Sequence, residues 1–245
     1  MRALRILLIV VVILGGLFVL ADRLAVGFAE DEVAAKVQSR ENLAAAPDVS
    51  IKGFPFLTQV ASGSLDDVEL GMKGFEATAG AEGKSIRIDD LKANMKGVEF
   101  SGDYSSATAA TATGTASVSY AELLKTAKSE PTQVAPGVTA SVVGLSDGGS
   151  GKIKVAVEAT VLGTKLPEPV YVLSSVSAQG DTVRVKADTL PNFGGAEIAE
   201  SRARAITDFE QKIDGLPGGI QLDGVQAAKD GVEITVKGSD VRLAG

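Results

Sequence analysis

The chain has 245 residues, 45% of them hydrophobic and only 4% aromatic, with a formal net charge of −7. Such an acidic chain lacks the clustered Lys and Arg that neutralise phosphates, which argues against nucleic acid and against whole-surface attraction to anionic headgroups. It has no cysteine and no histidine, so disulfides, thiolate metal sites and the commonest general base are missing; no cofactor or metal is implied, and a non-enzymatic protein is expected.

Arg2 and Arg5 precede an uncharged apolar run from Ile6 to Ala21, 16 residues long. Spanning a bilayer takes ~20 residues, and Leu4 and the snorkelling arginines extend the run. The basic end belongs in the cytoplasm, which puts everything after Ala21 outside it. Two readings compete: an uncleaved anchor, or a signal peptide cut after Val19-Leu20-Ala21. The apolar positions Leu24, Ala25, Val26, Phe28 and Ala29 continue the helix and favour the anchor. The expected organisation is a signal anchor or signal peptide over 1–21 and one α+β domain over 22–245. Its expected location is the cell membrane with the domain on the extracytoplasmic side, or the envelope if the segment is cut.

Residues 22–46 have helical periodicity, with Leu24 and Phe28, then Val33 and Val37, as an apolar stripe suited to packing on a sheet, and Pro47 as the stop. Strand-like segments run Leu65–Thr78 and Ile86–Val98. The Ala/Thr/Ser/Gly tract Ser105–Ser117 fits either a tightly packed strand or a mobile loop. Ser119 and Glu122 form a capping box for a short helix to Ala127, and Ser129–Pro136 reads as a connector. Lys152–Val161 alternates Ile153, Val155, Val157, Ala159 and Val161 against polar residues. Val170–Ala178 and Thr182–Thr189 pair across Gln179-Gly180-Asp181. Ala196–Ile213 reads as a helix stopped by Asp214-Gly215-Leu216-Pro217. A last hairpin, Ile220–Ala228 and Val232–Val236, turns at Lys229-Asp230-Gly231. Antiparallel strands with about three helices define an α+β class, in which two similar halves are conceivable.

Little in the chain carries catalytic chemistry. Gly144-Leu145-Ser146-Asp147-Gly148 matches the nucleophile-elbow pattern, but a strand rather than a helix follows and there is no histidine, so a plain loop is expected. Asp66-Asp67 and Asp89-Asp90 are adjacent acids expected in surface turns; neighbours in a strand face opposite ways and do not converge on one atom. The unusual segment is Gly53-Phe54-Pro55-Phe56-Leu57, with two of the eight phenylalanines within three residues. Pro55 pushes Phe54 towards an extended form. Both rings belong either to the core or to a membrane-touching tip at the lip of a lipid cavity. Phe75, Phe100 and Phe193, near strand or loop ends, carry the same two readings.

The run Val49-Ser50-Ile51-Lys52-Gly53-Phe54-Pro55-Phe56-Leu57-Thr58-Gln59-Val60, then Gly63-Ser64-Leu65-Asp66-Asp67-Val68, resembles the signature of the LmeA-like phospholipid-binding proteins of actinobacterial cell envelopes. So does the ending Leu216-Pro217, Val225 and Asp230-Gly231-Val232. The resemblance covers roughly residues 22 to 240. It implies a tubular lipid-binding-like fold, a strongly curved antiparallel sheet wrapped around a long helix, with an apolar cavity for acyl chains. It also implies a phospholipid ligand, phosphatidylinositol among the types to consider, and a supporting role in envelope lipoglycan synthesis. The residues expected to meet lipid are Phe54, Pro55, Phe56, Leu57, Val60, Phe75 and Phe100. The competing reading is a structural or partner-docking envelope protein with a filled core.

Overall fold

The computed structural model describes residues 2–40, 43–79, 84–126, 131–190, 200–212 and 219–244. The N-terminal apolar run and the helix after it form one unbroken α-helix, α1 (Arg2–Arg40). It is followed by β1 (Asp48–Lys52), α2 (Phe56–Ser62), β2 (Ser64–Ala79), β3 (Lys84–Phe100), β4 (Ala107–Ser119) and α3 (Tyr120–Thr126). A second group comprises β5 (Thr132–Ala135), β6 (Val138–Gly149), β7 (Lys152–Val161), β8 (Thr164–Lys165), β9 (Val170–Gln179), β10 (Thr182–Ala187), α4 (Glu200–Thr207) and β11 (Phe209–Lys212). The chain closes with β12 (Ile220–Ala227) and β13 (Gly231–Ala244).

All pairings among the described residues are antiparallel. The first sheet has the order β1-β2-β3-β4-β13-β12, the second β11-β10-β9-β7-β6-β5 with β8 on β7. The C-terminal hairpin therefore returns to the first sheet, so the two sheets are not two consecutive halves of the chain. The fold is α+β: a long N-terminal helix with a strongly curved antiparallel half-barrel sheet, the tubular lipid-binding-like arrangement.

The curvature has a local cause. Pairing of β2 with β3 skips Asp66 and Gly97, that of β3 with β4 skips Gly97 and Ala110, and that of β4 with β13 skips Ala110 and Asp240. The skipped residues lie side by side across four strands and all are exposed. Gly97 and Asp240 take left-handed backbone angles, φ 59° and 51°. Register is kept across the line, but core-facing residues on either side of it are three apart rather than two: Leu65 and Val68, Met95 and Val98, Ala109 and Ala112. A line of outward bulges bends a sheet in this way. A second break sits at Gly74 (φ 62°) and Asp89.

Two apolar clusters hold the molecule. One joins the second sheet to the C-terminal hairpin through Val134, Val142, Val155, Val157, Val172 and Val232. Burying each such valine contributes roughly 1.5–3 kcal/mol. The other gathers Val26 of α1, Ile51, Phe56 of α2, Leu65, Val98, Ala109 and Val241.

The structure decides one open expectation and changes others. The tract Ser105–Ser117 is largely strand, because Ala109, Ala112 and Ala116 alternate inward against outward Thr once the bulge at Ala110 is passed. The connector Ser129–Pro136 contains the short strand β5. The helix expected over Ala196–Ile213 ends at Thr207, and Phe209–Lys212 pairs with β10 instead. Asp208 makes that change of direction: its carboxylate accepts bonds from Ala187 N (3.1 Å) and Thr207 Oγ1 (3.0 Å) and pairs with Arg204 (3.3 Å). Ile198, Ile213, Phe193 and Leu216-Pro217 lie outside the described residues. The capping box is half formed: Ser119 Oγ accepts the Glu122 amide at 3.4 Å, while the Glu122 carboxylate turns to Lys125 and the Arg87 amide.

The bend predicts that Gly97→Val is destabilised by ~1–3 kcal/mol. A β-branched side chain is strained at φ 59°, and its Cβ would stand 3.1 Å from that of Ala110. Urea unfolding compared with wild type checks this; an unchanged midpoint would show that the bend does not need the glycine.

Candidate functional site

The Gly53–Leu57 segment is tied to α1 by one buried carboxylate. Asp22 is the first charged residue after the apolar run, and it is fully buried (0% exposed). Its Oδ1 accepts the Leu57 amide at 2.8 Å, and its Oδ2 pairs with Arg23 at 2.6 Å. The start of α2 explains why it is there. Pro55 holds the N-cap position and makes no side-chain cap, so the first amides of α2 have no local acceptor. Asp22, reaching across from α1, serves as that acceptor. Arg23 donates to Gly53 O at 3.4 Å and lies 5.3 Å over the Phe54 ring, a cation–π contact.

The loop itself leaves no slack. Gly53 has φ 96°, and a Cβ there would come within 2.6 Å of Gln59 Nε2 and 2.9 Å of Asp66 Oδ2. The Phe54–Pro55 peptide is cis. Gln59 Oε1 accepts the Asp66 amide at 2.8 Å. A second clamp lies along the helix, where Glu30 Oε1 accepts the Ile51 amide at 2.7 Å and so satisfies a donor of the edge strand β1.

These clamps set the rotation of α1. Asp22, Val26 and Glu30 recur every four residues on one face, and Ala25 and Ala29 beside them let the helix approach closely. The expected packing stripe is therefore corrected: Leu24 and Phe28 point away, 57% and 75% exposed, and Val33 is also exposed.

Of the residues expected to meet lipid, six come together at this end. Phe56 is buried in the cluster with Val26 and Leu65, and Val60 and Phe100 are half-buried against it. The Phe100 ring meets Tyr104 at 5.6 Å, and Tyr104 Oη donates to Val60 O at 2.9 Å. Pro55 is half-buried, whereas Phe54 (57%) and Leu57 (37%) are exposed. Phe75 is elsewhere: it pairs with Ile88 far along β2, ~33 Å of strand from Leu65.

Between the two apolar clusters the first sheet carries an apolar strip that, apart from Ile234 at its edge against the second-sheet cluster, belongs to neither. Leu70 of β2, Ala93 of β3, Gly114 of β4 and Val236 of β13 stand side by side in one row, Met72, Leu91, Ala116 and Ile234 in the next. All are half-buried. The floor is low at β4, where Ala112, Gly114 and Ala116 follow one another; a Cβ on Gly114 would press to 2.8 Å from Val236. The groove of about 430 Å³ across β1–β4 opens on the opposite face, where Asp48, Ser50, Glu69, Lys92, Asn94 and Thr115 line it together with Leu70, Ala93 and Gly114 of the same strands.

The other candidates resolve as structure. Gly144–Gly148 lies within β6, paired with β7, neither a loop nor an elbow. The paired acids sit in strands β2 and β3, not in turns; Asp67 accepts from Asn94 Nδ2 (2.7 Å) and Asp89 from the Ser119 amide (3.0 Å). Asp103, in the loop that carries Tyr104, is held down to about 2 by hydrogen bonds from the Ser101 and Ser105 hydroxyls and the Ser105 amide.

A family model, LmeA-like phospholipid-binding, matches residues 20–237. The chain belongs to this family of lipid-binding, non-catalytic proteins. No curated protein and no solved structure matches it.

Sequence reasoning found the Gly53–Leu57 segment but missed Asp22 and the strip. A lone acid directly after 16 uncharged residues was the available signal for Asp22. The strip had none, because its residues alternate like those of any half-buried strand.

Asp22→Ala should make the Leu57 amide exchange roughly ten- to a hundredfold faster, since the amide loses its acceptor. Asp22→Asn keeps an acceptor oxygen and should change it far less; hydrogen exchange of the full chain in detergent reads both. Asp103 gives a pH test. Its folded pKa lies below the unfolded value of 3.8, so its contribution is present above that pH and is lost as pH falls towards about 2. The Asp103 carboxyl carbon should titrate near 2 by NMR, and Ser101→Ala should move the midpoint upwards.

Proposed function

We propose that this protein holds phospholipid with its acyl chains against the apolar strip of the first sheet, on the extracytoplasmic side of a membrane to which α1 anchors it. The observation that carries the reading is the strip itself, a continuous apolar surface left half-covered between two closed cores, in a chain of a phospholipid-binding family. Apolar surface binds chains through area removed from water, ~25 cal/mol per Å². Aliphatic residues suffice for this, which accords with the low aromatic content.

Two features support the anchor. An 18-residue stretch of α1 has a mean hydropathy of 2.9 and is unburied, long and apolar enough to cross a membrane. The helix then runs through the Ala21–Asp22 junction without a break, and Asp22 is bonded to the domain just beyond it. The intact mass of the protein from membranes should accordingly include residues 1–21; a mass beginning at Asp22 would replace the anchor with a secreted form.

For lipid holding, the full chain purified in detergent should release phospholipid on organic extraction, its headgroup class read by mass spectrometry. Ala116→Phe, which raises the floor of the strip, should lower the lipid recovered roughly tenfold, the effect of ~1.4 kcal/mol of lost acyl burial. Its thermal midpoint serves as the folding control. A wild-type chain that carries no phospholipid and takes none from vesicles would overturn the reading in favour of a docking protein with a filled core.

A further inference from the structure

The exposed residues of the Gly53–Leu57 loop are fixed in height relative to the apolar run of α1. Asp22 and Arg23 follow Ala21 directly, and an α-helix rises ~1.5 Å per residue. The loop bonded to their side chains therefore lies close, along the helix axis, to the end of the run. Phe54 and Leu57 reach solvent here. The local charge suits a bilayer boundary: Asp22 is buried and paired, while Arg23 stays 47% exposed and stacks over Phe54. An arginine whose stem follows apolar surface and whose head reaches the headgroups is a common boundary anchor.

We propose that Phe54 and Leu57 insert into the outer surface of the bilayer from which α1 emerges, making the Gly53–Leu57 loop a second membrane contact that fixes the orientation of the domain. The occupant of this apolar end is the lipid surface itself. The argument is continuity: the loop is locked to the first residues beyond the apolar run, so once that run lies in a membrane the loop meets its face. This inference rests on the anchor reading of α1 but is independent of whether the strip holds cargo.

The chain contains no tryptophan, so single introduced tryptophans report depth. The full chain carrying Phe54→Trp is reconstituted into phosphatidylcholine vesicles with bromine placed either near the headgroup or deep in the acyl chains. Leu14→Trp reports the span and Met72→Trp the strip. Phe54→Trp should emit to the blue of an exposed tryptophan and be quenched more by shallow bromine than by deep; Leu14→Trp should show the reverse preference. Adding Asp22→Ala to Phe54→Trp should reduce the quenching, because the loop is then no longer held at the surface. Emission from Phe54→Trp that is water-like and unquenched overturns the proposal whatever the other two report. In that event a deeply quenched Leu14→Trp keeps the anchor, and a quenched Met72→Trp keeps the lipid-holding strip. An unquenched Met72→Trp beside a quenched Phe54→Trp counts against cargo alone and leaves the membrane contact standing.

Discussion

The bond between the Asp22 carboxylate and the Leu57 amide is the constraint on which this end of the molecule depends. It solves two problems together. The short helix α2 begins at a proline that supplies no cap, and a carboxylate just past the apolar run, in the middle of α1, has no exposed surface. Each satisfies the other, and Arg23 completes the charge balance. Because Asp22 and Glu30 share one face of α1, the helix cannot rotate to bury its larger apolar residues without breaking both contacts. That is why Ala25, Val26 and Ala29 pack and Leu24 and Phe28 do not.

The second constraint is the bulge line across β2, β3, β4 and β13. A flat sheet would place its apolar face either fully against a second layer or fully in water. Bending at Asp66, Gly97, Ala110 and Asp240 lets α1 and α2 close one end while the second sheet closes the other. What lies between is apolar and incompletely covered. The small residues of β4 keep that stretch low, which gives the Ala/Thr tract a use: Ala and Gly inward as a floor, Thr outward as a wettable back.

The groups that elsewhere signal chemistry are spent on architecture here. Ser146 sits in a strand, Asp89 holds the amide ahead of α3, and Asp103 orders the loop that brings Tyr104 to Phe100 and Val60. Family membership points to phospholipid, and the proposed holding of acyl chains rests on apolar surface rather than on convergent polar groups.

The sequence alone determined what depends on local pattern. The apolar run, the hairpins at Gly180-Asp181 and Lys229–Gly231, and the alternation in β7 are set by periodicity and turn chemistry, and all stand in the structure. The Gly53–Leu57 segment was legible too, because a proline between two phenylalanines is rare. Tertiary structure decided the rest, since it depends on contacts between residues distant in the chain. Phe209–Lys212 became a strand because β10 offered an open edge. The packing face of α1 was chosen by Asp22 and Glu30 finding amides some 20 to 35 residues away. The uncovered strip exists only because two cores close on either side of it, and no alternation within one strand can reveal what fails to pack against it.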